Sequence, residues 1–205
     1  MLQLLGTFFS ACNYTKHLTE NQILVGKTSL ELKTQKPIKY KSEFESAVMA
    51  YAQPKPNTHL LDLDIMPKFK LWKYNNKFSK YKKDSLNEKI LKHKIEPPNL
   101  IDTLLIKKSE INMKQFMINQ GYFYATVESQ ITPTKDPKIN DIRYTIHAGK
   151  NYTIDKVTTE TEDANLRFLI NTNNVNSFIK KGLPFTNFSC GLERERLYKI
   201  FRNSG

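Results

Sequence analysis

The sequence predicts an α+β fold made of two tandem copies of a strand-helix-helix-strand-strand unit, the second incomplete and the first carrying a long helical insertion. Three observations predict it. The stretch "MKQFMINQGYFYATVES" runs from a helical apolar pattern through Gly121 into strict strand alternation. The chain's last residues, "LYKIFRNSG", begin that passage again and reach a second glycine, Gly205. A proline turn, "EPPN" or "GLPF", stands about as far before one glycine as before the other. The divisions that follow are 1–21 as leader and tether, 22–150 as the first repeat with an insertion at about 57–95, and 151–205 as the second.

Taken in order, "NYTKHLTENQ" is polar and reads as a tether. "ILVGKTSLELKT" is β-branched and alternates from Leu30 to Lys33, so a strand is expected, closed by Pro37. "SEFESAVMAYAQ" pairs Ser42 with Glu45 in a capping signature and sets Phe44, Val48 and Tyr51 on one helical face. Pro54 and Pro56 end that helix. The insertion has a mostly helical pattern in which lysines interleave with Phe69, Trp72, Tyr74, Phe78 and Tyr81.

Pro97 and Pro98 are expected to start the next helix, with Asp102 as a candidate N-cap, and Leu105, Ile111, Met113, Phe116 and Met117 recur at helical spacing. Gly121 stops this helix because glycine takes a left-handed backbone at no cost. Phe123, Ala125, Val127 and Ile131 then face one way, and Tyr124, Thr126, Glu128 and Gln130 the other. Across a long connection, Ile142, Tyr144, Ile146 and Ala148 share a face, which makes the pair a hairpin. The second copy has "YTIDKVTTE" as a strand, then a helix with Leu166, Leu169 and Ile170 inward. A last helix follows, with Ser189 as cap and Leu192, Leu197, Ile200 and Phe201 as its stripe.

Composition narrows the function. The 32 Lys+Arg against 20 Asp+Glu give a net charge of +12, which favours acidic partners: nucleic acid, anionic headgroups or acidic protein faces. Two cysteines, Cys12 and Cys190, are too few for a disulfide framework, and Cys190 reads as a small half-buried hydrophobe. "MLQLLGTFFSAC" is uncharged, apolar and ends in small residues before Cys12, so it resembles the end of a bacterial lipoprotein signal peptide with Phe9–Cys12 as its lipobox. Phe9 stands where Leu is usual, and no Lys or Arg precedes the run, which leaves the start of the leader open. A signal anchor or a core segment is the other reading. No later segment has the length of a membrane-spanning helix.

The stretch Lys68 to Lys83 has three readings. It is a solvated helix face with buried aromatics, a membrane-surface contact through Lys68, Lys70, Trp72, Lys73, Tyr74 and Lys77, or a single-strand nucleic-acid site. An exported leader argues against the last, and no nucleic-acid partner is expected. Catalysis finds no support. "VGKTS" at Val25 to Ser29 has Asn21 where a phosphate loop needs its first glycine. His17, His59, His93 and His147 are scattered without metal-ligand spacing, and Asp62 with Asp64 reads as a strand or turn face. No catalytic residue, metal or cofactor is expected beyond an acyl or diacylglycerol group on Cys12.

The strand and helix order, the "EPPN" and "GLPF" turns, and "NQGYF" and "RNSG" after them resemble POTRA domains. "CNYTKHL", "KPN", "LWKYN" and "KIEPPNLID…KKSEINMKQFMINQGYF…YTIHAGKNYTIDKV" are together similar to the periplasmic part of the TamL lipoproteins of the BamA/TamA superfamily of outer-membrane assembly factors. The chain lacks the many alternating strands of the transmembrane barrel with which such proteins continue. The resemblance implies an outer-membrane, lipid-anchored protein facing the periplasm, with tandem POTRA-like repeats that receive unfolded outer-membrane proteins and bind a TamB-like accessory subunit. It further implies that the strand after the second helix, Phe123, Tyr124, Ala125, Thr126, Val127, Glu128, Ser129, Gln130 and Ile131, lies at a sheet edge where an extended client adds itself. The alternatives are a stand-alone scaffold lipoprotein of an envelope complex and a basic nucleic-acid-binding protein.

Overall fold

The computed structural model describes residues 14–59, 68–78 and 95–204. The elements run β1 (Leu24–Lys33), α1 (Lys41–Met49), α2 (Phe69–Lys73) continued by a π-helical turn (Tyr74–Phe78), α3 (Thr103–Asn119), β2 (Thr126–Pro133), β3 (Ile139–His147), α4 (Ala164–Thr172) and α5 (Asn187–Asn203). The strands form one sheet in the order β1-β3-β2. The fold is α+β, and the first repeat has the expected strand, helix, helix, strand, strand order around an insertion that holds α2. Asp62, Asp64 and His93 lie outside the described residues, as does the basic stretch beyond Phe78.

Residue contacts divide the chain into two compact units. The first comprises Met1–Leu30, Ala52–Ser109 and Ser129–Tyr144. At its centre Leu18, Leu24 and Leu71 are buried, with Tyr14, Tyr74, Leu100 and Ile139 packed against them. Leu18 and Tyr14 belong to the expected tether, so from Tyr14 on the chain is part of the fold. Leu18 supplies the apolar burial, Asn75 Nδ2 donates to the Tyr14 carbonyl at 2.9 Å, and Lys138 Nζ donates to the Leu18 carbonyl at 2.8 Å. The residues after "EPPN" do not begin a helix at the prolines. They lie along β1, with Val25 N–H donating to Asn99 O at 2.9 Å and Ile101 N–H to Ile23 O at 2.8 Å. Asp102 then caps α3, its carboxylate accepting from Leu104 and Leu105 N–H. Val25 to Ser29 lie inside β1, a strand and not a phosphate-cradling loop.

The second unit comprises Glu31–Tyr51, Glu110–Glu128 and Thr145–Gly205. In it α1 lays Phe44 and Tyr51 against Phe116, with ring centroids 5.4 and 5.8 Å apart. The Ser42 capping box does not form: α1 begins at Lys41 after a left-handed Tyr40, and Glu45 pairs with Lys41 at 3.6 Å instead. The helix α3 ends as its sequence promised. Gly121 has φ +88°, its N–H reaches Ile118 O, and Tyr122 N–H reaches Met117 O, the paired bonds of a Schellman cap.

The strand expected at Tyr152 to Glu160 is reduced to one antiparallel bridge, Thr153 with Pro184. A strand needs a partner, and among the described residues only Leu183 to Phe185 offer one: Ile154 N–H donates to Leu183 O and Phe185 N–H to Tyr152 O. These are the bonds by which Val25 and Ile101 join Asn99 and Ile23, so the two repeats share one local geometry. Thr186, not Ser189, caps α5, accepting from Ser189 N–H at 3.0 Å. Both α3 and α5 then run for 17 residues.

Candidate functional site

The sheet has two edges, and they differ. The outer side of β1 is occupied at its start by Asn99 to Ile101, and Lys68 Nζ donates to the carbonyls of Val25 and Gly26 at 3.5 and 3.4 Å. No strand pairs with the outer side of β2 among the described residues. Along β2 the burial alternates: Thr126, Glu128 and Gln130 are exposed, while Val127, Ser129 and Ile131 are half-buried. This alternation matches the two faces expected of Phe123 to Ile131, although the strand proper starts at Thr126. Phe123, Tyr124 and Ala125 form the turn into it, closed by Ala125 N–H to Tyr122 O. Tyr124 is three-quarters exposed and Ala125 is buried.

The direction of the backbone groups follows from one bond. Thr134 N–H donates to Ile139 O at 3.1 Å, so just past β2 an even-numbered N–H points to β3. Backbone groups alternate along a strand, which turns the N–H groups of Val127 and Ile131 to the outer side. Pro133 fits the same parity, because proline within a sheet is tolerated where its missing N–H would have faced solvent. It also limits any added strand to the residues before it. Each backbone bond formed along such an edge contributes about 1 kcal/mol net, without regard to the partner's side chains.

The basic aromatic stretch is sorted by its helix. Lys68, Leu71 and Asn75 are buried, at the spacing of one inward face, and Tyr74 packs against the Leu18, Leu24 and Leu71 cluster. Lys68 and Tyr74 therefore differ from the expectation of membrane contact: both turn inward, because β1 carbonyls and the apolar cluster lie on that side. Phe69, Lys70, Trp72 and Lys73 take the other faces. Phe69 is 48% exposed and stacks on Trp72 at 5.4 Å, with the ring planes 23° apart. Phe69, named among the interleaved aromatics, was not in the expected membrane-contact set, though its spacing of three from Trp72 is the signal that pairs them. Lys77 lies on the π-helical turn, and its side chain is outside the described residues, as is Cys12.

Elsewhere no catalytic arrangement emerges among the described residues. A cleft of about 530 Å³ in the second unit is lined by Lys36, Lys39, Phe44, Tyr122 and Lys150 among others. Burial pushes the Tyr122 phenol above its ordinary value, against a hydrogen bond with Asn151 that lowers it, which keeps the group a neutral hydroxyl. His17 and His147 are exposed, Cys190 is a half-buried free thiol, and no group of metal-ligating side chains assembles among the described residues. No described helix is long and apolar enough to cross a membrane.

Comparison with known proteins bears on this geometry. No curated protein matches the chain. A crystal structure of BamA POTRA3-5 from Haemophilus influenzae is similar over 89% of this chain and 88% of that one, at 14% identity and a TM-score of 0.29. Residues 67–149, which hold α2, α3 and the β2–β3 hairpin with its open edge, match the family model for POTRA, described as a surface antigen variable number repeat.

Proposed function

We propose that this chain is the periplasmic docking arm of an outer-membrane protein assembly or translocation factor, a non-catalytic module that receives unfolded outer-membrane proteins as an added strand on β2. One observation carries the reading: β2 stands at a sheet edge with no partner strand among the described residues, inside the stretch that matches POTRA. Strand addition gives affinity through backbone bonds, which suits a module that must accept many sequences. The half-buried Val127 and Ile131 side chains hold the strand to its own domain while their backbone groups face outward, and Thr126, Glu128 and Gln130 stand on the exposed face of the sheet.

The finer assignments belong to the same reading. They are a TamL-type lipoprotein acylated at Cys12, a place at the periplasmic face of the outer membrane, and a TamB-like accessory subunit as second partner. The sequence "FSAC" and the TamL-like motifs support them.

Val127→Pro tests the docking edge. The substitution removes an outward N–H and spares those that bond β3, so the sheet should survive while client capture falls. Site-specific cross-linking of an unfolded outer-membrane protein to residues of β2 would drop to background in the variant, with unchanged circular dichroism. Undiminished cross-linking would show that the edge is not used.

A further inference from the structure

We infer that the outer side of α2, with Phe69, Lys70, Trp72 and Lys73, is a docking surface for an anionic lipid bilayer. The inference extends the membrane-facing part of the proposed function and does not depend on client capture.

Two independent observations meet there. The first is the chemistry of the surface. Phe69, exposed, stacks on the half-buried Trp72 on a helix whose opposite side is fixed by the fully buried Leu71. Lysines flank the pair, and from Met66 to Lys83 the sequence has no acidic residue at all. Flat aromatic rings rimmed by ammonium groups match the headgroup layer of an anionic membrane, where the rings sit at the polar boundary and the lysines meet phosphates. A solvated helix face needs no such ring stack.

The second is the position of the N-terminal chain. Tyr14 is fastened to the α2 segment: its phenolic oxygen accepts from Lys68 N–H at 3.0 Å, and its carbonyl accepts from Asn75 Nδ2 at 2.9 Å. Only Asn13 separates Tyr14 from Cys12, the end of the uncharged run that begins at Met1. Two residues of backbone span roughly 7 Å at most. Any membrane attachment at Cys12 would therefore be made on a short leash fastened to the very segment that carries the ring pair. Here the added strand edge plays no part, since it lies on β2.

Trp72 is the only tryptophan in the chain, so its emission reports on this surface alone. The experiment uses the full chain carrying Cys12→Ala, which removes acylation. It is mixed with vesicles of phosphatidylcholine, or of equal parts phosphatidylcholine and phosphatidylglycerol. The expected result is a blue shift of Trp72 emission with the anionic vesicles that salt reverses. Lys70→Gln, at an exposed position, would weaken partitioning about fivefold, the effect of one lysine near a charged surface. It leaves Leu71 in place, and circular dichroism verifies the fold. Vesicle flotation with unshifted Trp72 emission would mean that the leader alone binds lipid and would overturn the inference. So would quenching of Trp72 by oligothymidine without any vesicle-induced shift, which would mark the surface as a single-strand nucleic-acid site.

Discussion

The two repeats solve the same local problem with different chemistry. In each, the loop that leaves the first helix must be held by the second helix, and the holding group stands at the same place after the N-cap. In the first repeat it is Ser109, whose hydroxyl accepts from Gln53 N–H at 2.8 Å and shares the loop with Tyr144, whose hydroxyl donates to Gln53 O at 3.1 Å. In the second it is Glu193, whose carboxylate accepts from Phe178 N–H at 2.9 Å and is clamped by Arg196 through Nε and Nη2. Arg196 Nη1 in turn donates to Asn173 O at 3.1 Å. Tyr144 comes from β3, so in the first repeat the loop is held by neutral hydroxyls from a helix and a strand, whereas in the second the helix carries its own bidentate ion pair.

The comparison is broken most sharply at Glu193. Its side chain is 8% exposed and that of Arg196 is 11% exposed, so losing one partner leaves a nearly buried charge alone. Glu193→Gln should destabilise the second repeat by about 3 kcal/mol, whereas Ser109→Ala should cost the first about 1 kcal/mol. Acid separates them too. The hydrogen bond from Arg196 holds the Glu193 carboxyl below the usual carboxylate range, with the Phe178 N–H adding to it against burial. A depressed folded value means the stabilisation is fully present above the unfolded value of about 4.3 and is lost as pH falls through the folded one. Hydrogen exchange at neutral pH and in mild acid should therefore show α5 amides opening first in acid. Amides around Ser109 should not follow, and equal loss in both repeats would refute the contrast.

Gly121 gives the next effect. Its φ of +88° lies in the left-handed region, and a Cβ there would come within 2.8 Å of Phe185 O. Its carbonyl also accepts from Tyr152 N–H at 3.0 Å. Gly121→Ala should cost on the order of 1–3 kcal/mol, and calorimetry would see the loss in the unit that holds both residues. Gly182, also at positive φ, meets nothing within 4 Å, so Gly182→Ala should cost less, with only the backbone term remaining. A reversed order would mean that close approach at Phe185 is not what fixes Gly121.

Much of this was legible because it depends on local periodicity. Ile142, Tyr144, Ile146 and Ala148 alternate in sequence and all are fully buried. The glycine after α3 caps the helix as its spacing implied, and the two proline turns share one geometry, although α3 starts at Thr103 and not at Pro97 and Pro98. What was hidden depends on distant partners. Ile111 has the right helical spacing yet is 66% exposed, because the inward stripe runs through Ile106, Met113 and Met117 with the polar Ser109 among them. The burial of Lys68 requires carbonyls from β1, and the docking of Tyr14 requires α2, and neither partner is near in sequence. The open edge of β2 was expected from the resemblance to POTRA domains; its alternation showed the faces but not the neighbours.

The smallest effect tests the alignment of the repeats itself. Asp102 and Thr186 are taken as equivalent because each follows the same pair of backbone bonds and each caps a 17-residue helix. Asp102 accepts from two amides, those of Leu104 and Leu105, and carries a negative charge at the helix N-terminus, whereas Thr186 accepts from one amide with a neutral hydroxyl. Alanine at either cap should cost about 1 kcal/mol, with Asp102 above Thr186 because charge at a helix start adds a few tenths. Added salt should narrow the difference, since only the charge contribution is screened. If Thr186→Ala cost nothing while Asp102→Ala cost the full amount, the second helix would not be held at its start. The matched bonds at Tyr152 and Phe185 would then be an echo of the repeat without its energetic role.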